Sequence, residues 1–209
     1  MNKYKIVSLV LALALLAALV RLVYSTEVRP APASRSSVVF QNILSRKSVR
    51  AYTDRAVGRA QLDSLVRAAM AAPSGRDMRP WKFAVVDDKA IMDSLAQRLP
   101  KAKMLADASA VIVICGDRSI VDAEGKPSVN WAYDCSAAAE NLLLAAEAMG
   151  LGAVWTGVSP YEDRMAAVSA ALGLPENITP FCLIPVGYPE GAPQPKDKYD
   201  AANVHYNGW

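Results

Sequence analysis

Residues 134–152 read "DCSAAAENLLLAAEAMGLG", and the reading of this stretch decides the fold. Alanine and leucine recur on nearly every side, so no continuous polar face exists, and Gly150 supplies a stop. A helix of this kind is buried on more than one face, in a large core or against another subunit. Downstream, "GAVWTG" (152–157) and "FCLIPVGYP" (181–189) are short apolar runs bounded by turn residues, hence strands. The helix "YEDRMAAVSAALG" (161–173) lies between them. Upstream, "WKFAVVDD" (81–88) and "SAVIVICGD" (109–117) are two further strands.

Two more helices precede these strands. "SSVVFQNILSRK" (36–47) sets Val38, Val39, Ile43 and Leu44 at helical spacing. "GRAQLDSLVRAAMAAP" (58–73) repeats the period at Leu62, Leu65, Val66 and Ala69 until Pro73 ends it. There is no internal repeat, no second domain and no steady strand–helix alternation. The order predicts an α+β fold, a mixed β-sheet flanked by helices, over residues 38–209.

The first 37 residues differ in kind. "MNKYK" precedes the apolar run Ile6 to Val20, and "RLVYSTEVRPAPAS" follows. A basic head, an apolar stretch and a possible cleavage site at Val23-Tyr24-Ser25 read as an export signal. If Arg21 snorkels, residues 6–24 are instead long enough for an uncleaved membrane anchor. Residues 1–25 are therefore expected to be a signal peptide or membrane anchor, and 26–37 a Pro/Ala/Ser tether. The expected location of the domain is exported or membrane-anchored, on the extracytoplasmic side.

Charge and residue types exclude several functions. The formal net charge is +3, but residues 1–37 hold Lys3, Lys5, Arg21, Arg29 and Arg35 against Glu27. The remaining 18 basic and 19 acidic residues leave 38–209 at −1, which is not the footprint of a nucleic-acid binder. Cys115, Cys135 and Cys182 have no metal-site spacing, and Cys115 and Cys182 sit in apolar runs. His205 is the only histidine, so neither a histidine-rich metal site nor a Ser-His-Asp triad is available. "GLGAVWTG" (150–157) is no dinucleotide fingerprint, since its glycines follow a helix and open a strand. "GVSPY" lacks the glycine that a nucleophile elbow needs after Ser159.

Three clusters carry the remaining chemistry. "SRKSVRAY" (45–52) gathers Arg46, Lys47 and Arg50 around Ser48, either a solvated helix end or an anion site. "APSGRDMRPW" (72–81) is a turn leading into a strand, and "PQPKDKYD" (193–200) sets Lys196 and Lys198 on a proline-stiffened tail.

Taken in order, "SRKSVRAY", "AAPSGRDMRPWKF", "KMLADASAVIVICGD", "AENLLLAAEAMGLGAVWTG" and "PVGYPEGAPQPKDKYD" resemble the nitroreductase family of FMN-dependent NAD(P)H reductases. The resemblance runs from about Val38 to Trp209. It implies an intertwined homodimer with two FMN sites at the interface, and the helix from Asp134 to Met149 as dimer core. It further implies that Arg46 and Ser48 hold the FMN phosphate, with Lys47 beside them and Lys196 and Lys198 closing over it. Arg50 and Lys103 would face the pyrimidine edge of the flavin. Trp155, Thr156 and Gly157 would lie along the ring, while Pro73, Ser74 and Asp77 would reach it from the partner subunit. Two positions depart from the family pattern: Asp77 stands where Asn is usual and Arg79 where Gln is usual. A carboxylate only accepts, so a flavin contact that needed a donor from residue 77 would be lost; the alternative is that Asp77 and Arg79 simply pair with each other.

The implied activity is reduction of nitro, quinone or similar conjugated small-molecule acceptors by NAD(P)H in a ping-pong exchange. The cofactor carries the chemistry, and no side chain need act as nucleophile. The alternative is a membrane-tethered flavin-binding electron-transfer protein without NAD(P)H turnover, because an exported domain would not meet cytoplasmic nicotinamides.

Overall fold

A computed structural model describes residues 2–24 and 34–209, with the backbone alone at 5–7, 10 and 19–24. The chain divides into two compact units, residues 1–39 and 40–209. In the first, α1 spans Lys3–Tyr24. Among the described residues no helix is long and apolar enough to cross a membrane, so the anchor reading gains no support. The possible cleavage residue Ser25 and the tether residues 26–33 lie outside the described residues. The next helix, α2 (Arg35–Ser45), begins inside the stretch expected to be tether.

The second unit is three layers deep. Strands β1 (Trp81–Val86), β2 (Ala110–Asp117), β3 (Gly152–Ala153), β4 (Thr156–Gly157) and β5 (Ile178–Gly187) form one sheet in the order β1-β2-β5-β3, with β4 also on β5. Every pairing between these strands is antiparallel. The sheet is mixed only through a parallel bridge between Ser48 and Ala153. Successive side chains of a strand point to opposite faces, so β2 sends Ile112 and Ile114 to one layer and Val111, Val113 and Cys115 to the other. Both layers are buried, which explains why β2 reads as an unbroken apolar run.

One layer is α3 (Arg59–Met70) and α5 (Trp131–Ala148), whose Leu62, Leu65, Leu142 and Cys135 meet Ile112, Ile114 and Ile184. The other is α4 (Lys89–Arg98) and α6 (Glu162–Leu172), whose Met92, Leu95 and Val168 meet Val111, Val113 and Leu183. Asp88 starts α4 by accepting from the Ala90 and Ile91 amides at 2.8 and 3.1 Å, satisfying two of the free first-turn donors.

The run "GAVWTG" is two strands rather than one. Both halves keep the same register on β5, Ala153 opposite Val186 and Thr156 opposite Leu183, so Val154 falls opposite Pro185. Proline has no N–H to give the ladder, and pairing lapses there. Helix α5 starts at Trp131, earlier than expected, and its Cys135, Ala138, Leu142 and Ala146 are buried within this one chain. Exposed apolar side chains include Phe40, Ile43 and Leu44 of α2 and Tyr133 on α5 itself.

Candidate functional site

The basic turn is seated by two facing glycines. Gly152 of β3 pairs with Gly187 of β5, leaving a bare patch at the end of the sheet. Val49 and Tyr52 fill it: a Cβ on Gly152 would lie 2.6 Å from Val49 Cγ1, and one on Gly187 2.7 Å from Tyr52 Cδ1. Only glycine allows this approach. The Val49 amide donates to the Ala153 carbonyl at 3.0 Å. The Tyr52 hydroxyl donates to the Val49 carbonyl at 2.8 Å, and burial pushes its pKa upward. With Val49 and Tyr52 facing in, Ser48 and Arg50 are left exposed. Met104 and Ala108 pack on the same cluster, which brings the turn carrying exposed Lys103 beside the basic stretch.

Two cations of this turn are drawn to α5. Arg46 Nε lies 3.4 Å from Glu140 Oε1, a loose pair in which the Arg46 side chain is largely covered. Lys47 is different: its ammonium donates to both Glu147 oxygens at 2.8 and 3.1 Å and to the Ser45 carbonyl at 3.4 Å. All three ammonium donors thereby have partners. Lys47 thus ties the turn to α5.

The same bridge that holds Ser48 places it at the head of the segment ending in Trp155, Thr156 and Gly157. The Trp155 ring meets Phe181 edge to face at 5.4 Å. The Gly157 carbonyl accepts from Arg164 Nη1 at 3.0 Å, a contact that no sequence pattern announces. A Cβ on Gly157 would meet nothing closer than Trp155 Nε1 at 3.9 Å. The glycine is therefore not demanded by packing within the chain; it exposes bare backbone to open space, which suits a flat ligand.

The turn of Pro73, Ser74 and Asp77 is built apart from these residues. Its Gly75 amide donates to Asp134 Oδ1 at 2.8 Å, at the start of α5, while Asp134 Oδ2 is buried without a partner. Arg76, Asp77 and Arg79 all have positive φ, at 54°, 56° and 49°, a strained backbone of the kind found at functional turns. Arg79 Nε donates to Asp77 Oδ1 at 2.6 Å, and this hydrogen bond holds the Asp77 carboxyl below its usual range. The pairing considered from the sequence is thus formed. Asp134, which holds the Pro73–Asp77 turn, and Glu147, which holds the basic turn, stand thirteen residues apart on α5, about 20 Å at 1.5 Å per residue. Lys196 and Lys198 are exposed on the tail. Among the described residues no group of histidine, cysteine, aspartate or glutamate could hold a metal ion.

The model of the nitroreductase family matches residues 43–100 and 93–188. A relative from Methanothermobacter thermautotrophicus is 40% identical over 171 residues, 82% of this chain and 87% of its own length. It carries the name "Putative NADH dehydrogenase/NAD(P)H nitroreductase", as does a solved structure from Bacteroides thetaiotaomicron. That structure is 52% identical, with a TM-score of 0.78 over 82% of this chain and 98% of the other. An FMN-dependent nitroreductase from Clostridium difficile is 30% identical, with a TM-score of 0.74 over 81% of this chain and 99% of the other. The chain belongs to the nitroreductase family, and its fold is that of the family.

Proposed function

We propose that this protein is an FMN-dependent oxidoreductase that reduces nitro, quinone or similar conjugated acceptors with NAD(P)H by a ping-pong exchange, as a homodimer. The observation that carries the reading is the bare backbone at Gly157, bridged through Ala153 to the exposed Ser48. Arg46, Ser48, Lys196 and Lys198 would hold the phosphate, with Arg able to engage it bidentately. Arg50 and Lys103 would set positive charge at the pyrimidine edge. FMN bound there supplies the two-electron chemistry, and the protein supplies orientation and electrostatics. Electron donor and acceptor would use the same open face in turn.

Dimerisation is supported by the separation of the two site halves along α5 and by the uncovered Phe40, Ile43 and Leu44. A partner's Pro73–Asp77 turn would complete each site. Export of the domain, with residues 1–25 as the signal, is a proposal that rests on the sequence of the leader alone.

The test is selectivity. Replacing Arg46, Lys196 and Lys198 together by Ala should weaken FMN binding while riboflavin, lacking the phosphate, binds both proteins about equally. Each charge-assisted contact is worth about 1.5–3 kcal/mol and the three will not add fully. A folded triple variant that still prefers FMN places the phosphate elsewhere. Anaerobic bleaching of the bound flavin by NADH or NADPH tests the donor.

A further inference from the structure

We infer that the cleft between the end of α4 and the start of α6 is an anion subsite that receives a carboxylate or phosphate borne by a substrate; this rests on the reductase reading above. The cleft holds about 290 Å³, near the lower end of small-ligand pockets. One wall is Arg98 and the turn through Lys101; the other is Thr156, Gly157, Asp163 and Arg164. Gly157 belongs to both this cleft and the strand end assigned to the flavin, so a molecule in the cleft lies beside the reacting centre.

Three cations face a single carboxylate there. Among the described residues none of Arg98, Lys101 and Arg164 is engaged in an ion pair. Arg164 is nevertheless fixed. One Nη donates to the Gly157 carbonyl at 3.0 Å, and the guanidinium lies 4.0 Å over the Tyr161 ring, so its orientation is set before a ligand arrives. Arg98 Nε is likewise placed by Ser94 Oγ at 3.3 Å. The Thr156 hydroxyl in the wall is buried and has no partner, an uncommitted donor at the same place. Cations whose orientation is already fixed and whose charge is not yet matched, in a concave wall, form a receptor for an anion.

Two substrates could bring the charge, the acceptor as a carboxylate or the donor as the 2′-phosphate of NADPH. The flavin-loaded enzyme is therefore assayed with 4-nitrobenzoate against 4-nitrobenzyl alcohol, and with NADPH against NADH. The parent should favour the charged member of at least one pair by about tenfold in kcat/KM, the effect of one charge-assisted contact. Rising salt should erode that preference. The double variant R98Q/K101Q should abolish it and leave rates with the neutral acceptor and NADH as they were. The pair whose preference disappears identifies the carrier. Without turnover, 4-nitrobenzoate and 2′,5′-ADP titrated against the absorbance of the bound flavin should show the same loss of affinity in the variant. No preference in either pair, or a preference and titration unchanged in R98Q/K101Q, overturns the subsite. Failure of any nicotinamide to bleach the flavin instead sinks the reductase reading, and the titration still decides the subsite.

Discussion

Gly152→Ala tests the packing that presents the basic turn. The new Cβ would stand 2.6 Å from Val49 Cγ1 and 2.8 Å from Val49 Cβ. Carbon atoms in contact rest about 3.5–4.0 Å apart, so one partner must retreat by about 1 Å. Gly152 is held in the ladder opposite Gly187, and Val49 is the more weakly held of the two, with its amide on Ala153 at 3.0 Å. The displacement therefore falls on Ser48, Val49 and Arg50. Overpacking of this kind costs about 1–3 kcal/mol. If the turn undocks to relieve it, FMN affinity should fall about 5- to 150-fold, at 1.4 kcal/mol per tenfold. Urea denaturation of the flavin-free protein measures the first quantity, and quenching of flavin fluorescence on binding the second. Val49→Ala added to Gly152→Ala removes the γ-carbons but leaves the Cβ contact at 2.8 Å, so rescue should be partial. The double variant should be more stable than the sum of the single effects by about 1 kcal/mol. Strict additivity together with parent-like FMN affinity would refute the argument that Gly152 seats the turn.

Two other outcomes follow from the core and the strained turn. Burial pushes the Cys115 and Cys135 thiols up to about 12 and that of Cys182 well above the usual thiol range. A raised folded pKa means the stabilisation is complete below pH 9 and declines as pH rises towards 12, at about 1.4 kcal/mol per pH unit for each thiol. Urea midpoints at pH 8, 9.5 and 10.5 should fall in that order, and Ellman's reagent at pH 8 should label no thiol until the chain unfolds. A rapidly labelled native thiol contradicts the burial. Asp77→Asn breaks a solvent-exposed pair with Arg79, so the urea midpoint should stay essentially that of the parent. The restored amide donor should tighten FMN about 2- to 10-fold, and unchanged or weaker binding means residue 77 does not reach the flavin.

The sequence by itself determined the framework. Leu62, Leu65 and Ala69 at helical spacing, and the unbroken Ala110–Cys115 run, are local patterns that period alone identifies. The glycines of "GAVWTG" were visible too, because a missing side chain is a property of one residue. Helix α4 was legible in principle, with Asp88 as cap and Ile91, Met92 and Leu95 in period. What only the tertiary structure decided depends on partners distant in the chain. Lys47 finds Glu147 a hundred residues away, a tie between the basic turn and α5 that no local pattern announces. Pro185 splits the strand opposite it, a consequence of register that composition does not reveal. Helix α5 has no polar stripe because its own chain covers much of it. Arg98, Lys101 and Arg164 come to line one cleft with Gly157 only after α4 and α6 pack on one face of the sheet. Pattern is local and survives in one dimension; the pairing of charges and the placing of a cleft are long-range, and exist only once the chain is folded.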